Sequence, residues 1–152
     1  MQRRTCWARR AELALAQGDP ALALDIADRL IASAPGMSSG CVVTLLWRLK
    51  GEALTAMPRN RVGTLGHAEE ARSLLQAAAE HAQAPEERFH RWRVHASLGR
   101  LYCVMNRQPE AEREFAVASE LVEALAQAVP GQAFRDNFLQ RARSTLRPRP
   151  LT

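Results

Sequence analysis

Helix-breaking residues recur at intervals along the chain, and their placement constrains the fold more than any other feature. Clusters of glycine, proline and asparagine mark turns. They are QGDP (17–20), SAPGMSSG (33–40), MPRNRVGTLG (57–66), QAPEE (83–87), NRQPE (106–110) and VPGQ (129–132). The segments between them run for about 14 to 20 residues, which is the usual length of a helix in a globular protein.

The pattern within these segments favours helices over strands. Alanine and leucine, which are strong helix formers, supply most of the apolar residues, and few stretches alternate with the period of a strand. Apolar residues instead recur at helical spacing, as at Ala111, Phe115 and Ala118. The sequence therefore predicts an all-α fold with helices over 3–17, 20–33, 40–57, 67–83, 86–106, 109–128 and 132–146.

Gly99 lies inside a predicted helix, where alanine would be about 1 kcal/mol more favourable. Another small residue, Ala111, follows the next turn and precedes Phe115 by one helical turn. We interpret the small residues as places where two antiparallel helices approach closely, with Tyr102 and Phe115 filling the hollows beside them. Gly51 has the same interpretation.

The same residues carry a resemblance to a repeat family. The fifth and sixth segments read His95-x2-Leu98-Gly99-x2-Tyr102 and then Ala111-x3-Phe115. This pattern resembles the tetratricopeptide repeat (TPR) signature, W-x2-L-G-x2-Y…A-x3-F. Weaker matches in the same order begin at Trp7 and Trp47, and the second of them has a lengthened turn.

The resemblance implies one TPR-like domain over residues 1–147, followed by a flexible tail at 148–152. The domain is expected to be a right-handed array of three antiparallel helical hairpins (3–33, 40–83 and 86–128) with a C-terminal capping helix over 132–146. The segment ELVEALAQAVPGQAFRDNFLQRA also resembles the C-terminal TPR tails of large bacterial ATP-binding regulators. A generic array of helical hairpins is the alternative fold.

In the TPR family, the first helix of each hairpin lines a concave groove that holds a peptide or helix of a partner. The resemblance therefore implies a non-catalytic protein-interaction module. The groove-facing positions that it implies are Thr5, Ala8, Glu12, Leu45, Arg48, Glu52, Arg93, Ala96 and Arg100. We expect Arg48, Arg93 and Arg100 to receive an acidic segment of the partner. A chaperone-type carboxylate clamp is not expected, because Glu12, Glu52 and Arg100 stand where such clamps have Asn and Lys.

The sequence carries no pattern typical of catalysis. Its four histidines do not pair at the spacing of helical metal ligands. A Ser-His-Asp signature, a nucleophile elbow, a phosphate loop and a dinucleotide fingerprint are all missing. Glu86 and Glu87 precede His90 by about one turn, and we interpret this arrangement as a surface helix pair rather than a catalytic dyad. We therefore predict a chain without enzyme activity, cofactor or metal.

The charge balance leaves a second function open. The net charge is +5, and Lys50 is the only lysine among the 21 basic residues. The stretch RFHRWRVH (88–95) interleaves arginine with aromatic residues, a pattern that can stack nucleic-acid bases. We favour packing of Phe89 and Trp92 in the core, because the two fall together on one helix face. A basic helical protein that binds nucleic acid is the alternative function.

The N-terminal sequence, the apolar runs and the cysteine spacing bear on the cellular compartment of the chain. The N-terminus lacks the apolar core of a signal peptide, and no run of about 18 apolar residues occurs. Cys6, Cys41 and Cys103 lie far apart without a CxxC motif. These features predict reduced thiols in a bacterial cytoplasm.

The first helix has apolar residues around much of its circumference, including Trp7 and Leu13. Contiguous exposed apolar surface is uncommon in monomers. We therefore expect this helix to contact a second copy of the chain or upstream repeats. The alternative is an alanine-rich surface that is only weakly apolar and remains exposed.

Overall fold

A computed structural model describes residues 2–33, 40–58, 64–84 and 87–146, except the side chains at 2–5, 40–42 and 64–65. The described residues form helices and turns and contain no strand, which confirms the predicted all-α class. The helices are α1 (Gln2–Ala16), α2 (Pro20–Ala32), α3 (Gly40–Ala56), α4 (Thr64–His81), α5 (Arg88–Val104), α6 (Gln108–Gln127) and α7 (Gln132–Leu146). The predicted tail at 148–152, residues 59–63 of the predicted 57–66 turn and residues 34–39 of the predicted 33–40 turn lie outside the described residues.

The described turns are short because local chemistry ends one helix and starts the next. Between α1 and α2, Gly18 adopts a φ of +79°, a conformation that costs glycine little. The Asp19 carboxylate then accepts a 3.0 Å hydrogen bond from the backbone N–H of Leu22, which caps α2. Pro20 follows as the first helical residue, where its missing N–H costs nothing.

Consecutive helices pack in pairs: α1 on α2, α3 on α4, and α5 on α6. Thr44 near the start of α3 contacts His81 at the end of α4, and the Thr44 Oγ1 to His81 Nδ1 distance is 3.1 Å. His95 and Glu114 join α5 to α6 in the same antiparallel sense. Helix α2 contacts α3, and α4 contacts α5, so the pairs stack one on the next.

The first helices of the three pairs also contact one another. Helix α1 packs on α3, and α3 packs on α5. One core cluster, which includes Ala11, Ala23 and Leu49, joins α1, α2 and α3. A second cluster continues through α3, α4, α5 and α6 and includes Leu75 and Leu101. The first helices therefore lie side by side, and their polar side chains share a common face.

Glycine permits the close crossing of paired helices at two positions. A Cβ atom on Gly99 would lie 2.8 Å from Cε1 of Phe115, and one on Gly51 would lie 2.6 Å from Cγ of Leu75. Ala111, which faces the same crossing as Gly99 from α6, is fully buried. These contacts confirm the interpretation of Gly51 and Gly99 as sites of close approach.

Helix α7 packs antiparallel to α6 and covers the end of the stack. Trp92 of α5, Val122 of α6 and Ala142 of α7 form a buried cluster, with Phe138 packed against it. Val122 is 1% exposed in this cluster, so α7 packs where the sequence places a capping helix. Phe134 in the first turn of α7 lies outside this cluster, and its side chain is 75% exposed.

The predicted burial of Phe89 is wrong. Trp92 is 5% exposed, as expected, but Phe89 is 59% exposed. Phe89 lies in the first turn of α5, three residues before Trp92, and is rotated from it by about 60° around the helix axis. Trp92 can therefore point into the α6–α7 cluster while Phe89 faces outward.

Candidate partner-binding face

The polar side chains of α1, α3 and α5 meet on one side of the helix stack. We call this surface the first-helix face and define it by Glu12, Arg48, Glu52, Arg93, Ser97 and Arg100. The helical repeat brings Arg48 and Glu52 together within α3, and Arg93, Ser97 and Arg100 together within α5. Contact between neighbouring first helices then joins these groups across the stack.

Arg48 lies at the centre of the face and bridges α1 to α3. It is only 6% exposed. Its Nη2 donates to Oε1 of Glu12 at 2.7 Å, and its Nη1 donates to Oε1 of Glu52 at 2.8 Å. Both ends of the guanidinium fork are therefore occupied by carboxylates of the chain itself.

Glu52 extends the network from α3 to α5 and onward to α7. Besides Arg48, it accepts hydrogen bonds from the Ser97 hydroxyl and from Nη2 of Arg100, the latter at 3.2 Å. Nη1 of Arg100 donates to the backbone carbonyl of Thr145 near the end of α7, at 3.0 Å. One continuous series of polar contacts thus runs from α1 through α3 and α5 to α7.

The charges in this network stabilise one another. Burial alone would raise the pKa of Glu52, but attraction to Arg48 and Arg100 and the Ser97 hydrogen bond hold it below its usual value. Burial alone would lower the pKa of Arg48, but Glu52 and Glu12 raise it overall. Both groups are therefore ionised at neutral pH. Removal of one partner would leave an uncompensated buried charge.

Glu12 is surrounded by guanidinium groups from three helices. Arg9 approaches its Oε2 at 2.7 Å, whereas Nη1 of Arg93 lies 4.0 Å from its Oε1. The Arg93 side chain is 41% exposed. Burial, followed by repulsion from Arg48, lowers the pKa of Arg93 below its usual value. Arg93 is thus the least closely paired arginine of the face, and it faces solvent.

Two titratable residues at the start of α5 border the face. Burial lowers the pKa of His90, and Arg48 and Arg93 lower it further, so this imidazole is neutral at pH 7. Glu87 is fully buried, and no described residue donates a hydrogen bond to its carboxylate. Glu87 is the N-cap residue of α5, but its side chain makes no capping hydrogen bond. The prediction of a surface pair is therefore wrong for Glu87.

The structure brings five of the predicted groove residues together: Glu12, Arg48, Glu52, Arg93 and Arg100. Leu45 instead packs against the core cluster of α1, α2 and α3. Ala8 and Ala96 are buried. The side chain of Thr5 lies outside the described residues. The partner-groove assignment itself stays a prediction.

Sequence reasoning missed Ser97 as a member of the face. Its hydroxyl bonds both Glu52 and the carbonyl of Arg93. A signal was available, because Ser97 lies one turn after Arg93 and one turn before Arg100 on α5. The pairing between Arg48 and Glu12 lacked such a signal, since the two residues lie on different helices.

A cavity of about 20 Å³ lies beside the ends of α3 and α5 and is lined in part by Leu54, His67 and Leu101. Such a volume suits a water molecule. Within the described ranges, no group of three or more His, Cys, Asp or Glu side chains is placed to hold a metal ion. None of the described helices is long and apolar enough to cross a bilayer.

Comparison with known protein-family models, with curated proteins and with solved structures finds no match to this chain. The structural class of the chain is therefore described from its own helices and from the first-helix face. It is an all-α protein of stacked helix pairs, with a charged network across the first helix of each pair.

Proposed function

We propose that the chain is a non-catalytic protein-interaction module, which binds a peptide or helix of a partner on the first-helix face. The observation that carries the proposal is the cationic excess of this face. Three arginines of the face, Arg48, Arg93 and Arg100, surround the two carboxylates of Glu12 and Glu52, and Arg9 approaches Glu12 from beside the face. A partner with carboxylate groups would balance the remaining positive charge.

The arginines of the first-helix face differ in how closely they pair with carboxylates, and we assign them two roles on this basis. Arg48 is buried and bonded to Glu12 and Glu52, so it stabilises the contact between α1 and α3. Arg100 is bonded to Glu52 and to α7. Arg93 is half-exposed and only loosely paired. On this proposal, Arg93 binds the acidic partner directly, while Arg48 and Arg100 fix the shape of the face.

The proposal includes a TPR-like arrangement of the helix pairs. Three features support it: the resemblance around Gly99, the contacts between successive first helices, and the covering of the last pair by α7. The resemblance of the C-terminal segment to regulator tails supports a role as part of a larger bacterial, cytoplasmic regulator.

A peptide-display selection tests the proposal. A random dodecapeptide library is selected on the immobilised chain, and the dissociation constants of enriched peptides are measured by fluorescence anisotropy. We expect acidic peptides to be enriched and Arg93→Glu to weaken their binding at least tenfold. Arg113→Glu is the matched control, because Arg113 is exposed on α6 and the variant changes the net charge equally.

Equal binding to both variants, or a library without enriched acidic peptides, would contradict the proposal. Binding to nucleic acid is the alternative outcome. It is measured by a gel shift with random DNA and RNA at increasing salt, because phosphate contacts weaken steeply as counterions compete. Strong salt-sensitive binding that Arg93→Glu abolishes would assign the face to nucleic acid.

A further inference from the structure

The positive excess at the first-helix face is concentrated on two arginines. Four arginines and two glutamates meet there, so two positive charges remain uncompensated. Arg48 and Arg100 bond directly to the carboxylates within the stack and balance their charges. The excess therefore lies on Arg9, which approaches from beside the face, and on Arg93.

Arg9 and Arg93 flank the two oxygens of one carboxylate. Nη1 of Arg9 lies 2.7 Å from Oε2 of Glu12, and Nη1 of Arg93 lies 4.0 Å from Oε1 of the same residue. Since carboxylate oxygens are about 2.2 Å apart, the two Nη1 atoms lie within about 9 Å of each other. A phosphate group that accepts a hydrogen bond from each arginine through a different oxygen spans about 8 Å. The Arg9 side chain is 69% exposed, so a small rotation brings both arginines within reach of one such group.

The Arg93 guanidinium is held in place while its N–H groups stay unused. Its distance to Glu12 exceeds that of a hydrogen bond. Among the described residues, no other group accepts a hydrogen bond from this side chain. Its Cζ lies 5.4 Å from the ring centroid of Trp92, which is fixed in the buried cluster of α5, α6 and α7. This stacking contact orients the guanidinium, so its N–H donors form a preset fork for an anion.

The charges around Arg93 also favour an additional anion. Burial lowers the pKa of Arg93, and repulsion from Arg48 lowers it further. Arg9 repels it as well, and the attraction of Glu12 and Glu52 does not cancel these effects. A negatively charged group bound beside Arg93 would relieve this repulsion.

We propose that Arg9 and Arg93 together bind a phosphoserine or phosphothreonine of the partner peptide. A phosphomonoester carries about −1.5 to −2 charges at pH 7 and three acceptor oxygens, so one group balances both arginines. A carboxylate carries a single charge, and so does each phosphate of a nucleic-acid backbone. This inference rests on the proposed function and specifies the partner as a phosphorylated segment.

The test uses the full chain and the acidic dodecapeptides enriched from the random library. Each Asp or Glu of these peptides is replaced in turn by phosphoserine, and dissociation constants are measured by fluorescence anisotropy at about pH 7, where phosphoserine is largely dianionic. We expect phosphoserine at one position to tighten binding at least tenfold relative to Glu at that position. Arg9→Gln and Arg93→Gln should each remove this gain.

Two further variants serve as controls. Arg10→Gln should keep the gain, because Arg10 is exposed on α1 and the variant loses the same charge. Arg93→Lys retains the charge but not the planar fork, so it should recover only part of the gain. Circular dichroism and thermal melting verify that each variant keeps the fold.

Three results would overturn the inference. Phosphoserine peptides that bind no more tightly than the Glu peptides, while Arg93→Glu weakens both, would contradict it and leave the proposed function intact. A phosphoserine gain that survives in Arg9→Gln and Arg93→Gln would also contradict it. Random single-stranded RNA that binds more tightly than the phosphopeptides, and loses affinity in both variants, would assign the two arginines to nucleic acid.

Discussion

Gly99 lies opposite Phe115, and their contact sets how closely α5 and α6 cross. We predict that Gly99→Leu destabilises the fold by about 1–3 kcal/mol, because overpacking forces neighbouring side chains to shift. Thermal and denaturant unfolding measure the change. The double variant Gly99→Leu/Phe115→Ala should recover part of the loss, since the two substitutions are coupled.

Gly66 supplies the control for this prediction. It is helical, and a Cβ there would meet nothing within 4 Å. Gly66→Ala should therefore leave stability unchanged or raise it by up to about 1 kcal/mol. An unchanged melting temperature for Gly99→Leu would show that α5 and α6 do not cross at this residue.

The ionisation of Glu52 makes the free energy of unfolding depend on pH. Its pKa in the folded chain lies below the usual value because Arg48 and Arg100 outweigh the cost of burial. A carboxylate with a lowered pKa stabilises the fold above its unfolded pKa of about 4.3, and this contribution is lost as the pH falls through the folded pKa. We predict that Glu52→Gln is less stable than the wild type at pH 7, and that the difference shrinks between about pH 5 and pH 3.

Glu110→Gln is the control for this pH series. A hydrogen bond from Arg107 lowers the pKa of Glu110 as well, but this pair lies at the surface, where solvent screens the interaction. Its substitution should change the acid limb of the unfolding curve much less. Identical pH profiles for Glu52→Gln and the wild type would contradict the role assigned to the network.

At the scale of helices, α7 stabilises the stack through one face. Phe138 packs against the cluster of Trp92, Val122 and Ala142, whereas Phe134 is exposed. We predict that Phe138→Ala lowers the free energy of unfolding by about 2 kcal/mol, less than a fully buried phenylalanine would lose. Phe134→Ala should change it by less than about 0.5 kcal/mol. Denaturant unfolding compares the two, and equal losses would contradict the orientation of α7.

The helix bounds and one helix crossing could be predicted from the sequence. Breakers such as Gly18 and Pro20 act locally, so the helix bounds follow from nearby residues. The close crossing at Gly99 was also predictable, because a glycine inside a helix needs a reason. The exposure of Phe89 was not predictable from its periodicity. It depends on which helices pack on each side of α5, which is a property of packing between distant segments.

In the first-helix face too, contacts within one helix could be predicted from the sequence, whereas contacts between helices could not. The helical repeat predicts that Arg48 and Glu52 share a side of α3. It does not predict that Arg48 reaches Glu12 or that Glu52 reaches Ser97, since these pairs are separated by 36 and 45 residues. The sequence therefore indicates which residues share the first-helix face. The structure adds which charges compensate one another and which one, Arg93, faces solvent.

At the scale of the whole molecule, α1 presents apolar side chains to solvent at the other end of the stack. Trp7 and Leu13 are 46% and 56% exposed, while Ala8, Ala11 and Ala14 are buried. We predict concentration-dependent self-association in light scattering, because burial of these side chains would be favourable. Trp7→Gln/Leu13→Gln should abolish it without loss of stability. A wild-type chain that stays monomeric across the series would contradict this prediction.

The position at which a bound peptide contacts the chain tests the assignment of the first-helix face. Backbone amide shifts are measured by NMR as the tightest peptide from the dodecapeptide selection is added to the full chain. We expect the largest shifts in α1, α3 and α5, with Arg93 and its neighbours among them. Shifts concentrated in α2, α4 and α6, or a selection that yields no peptide to add, would contradict it.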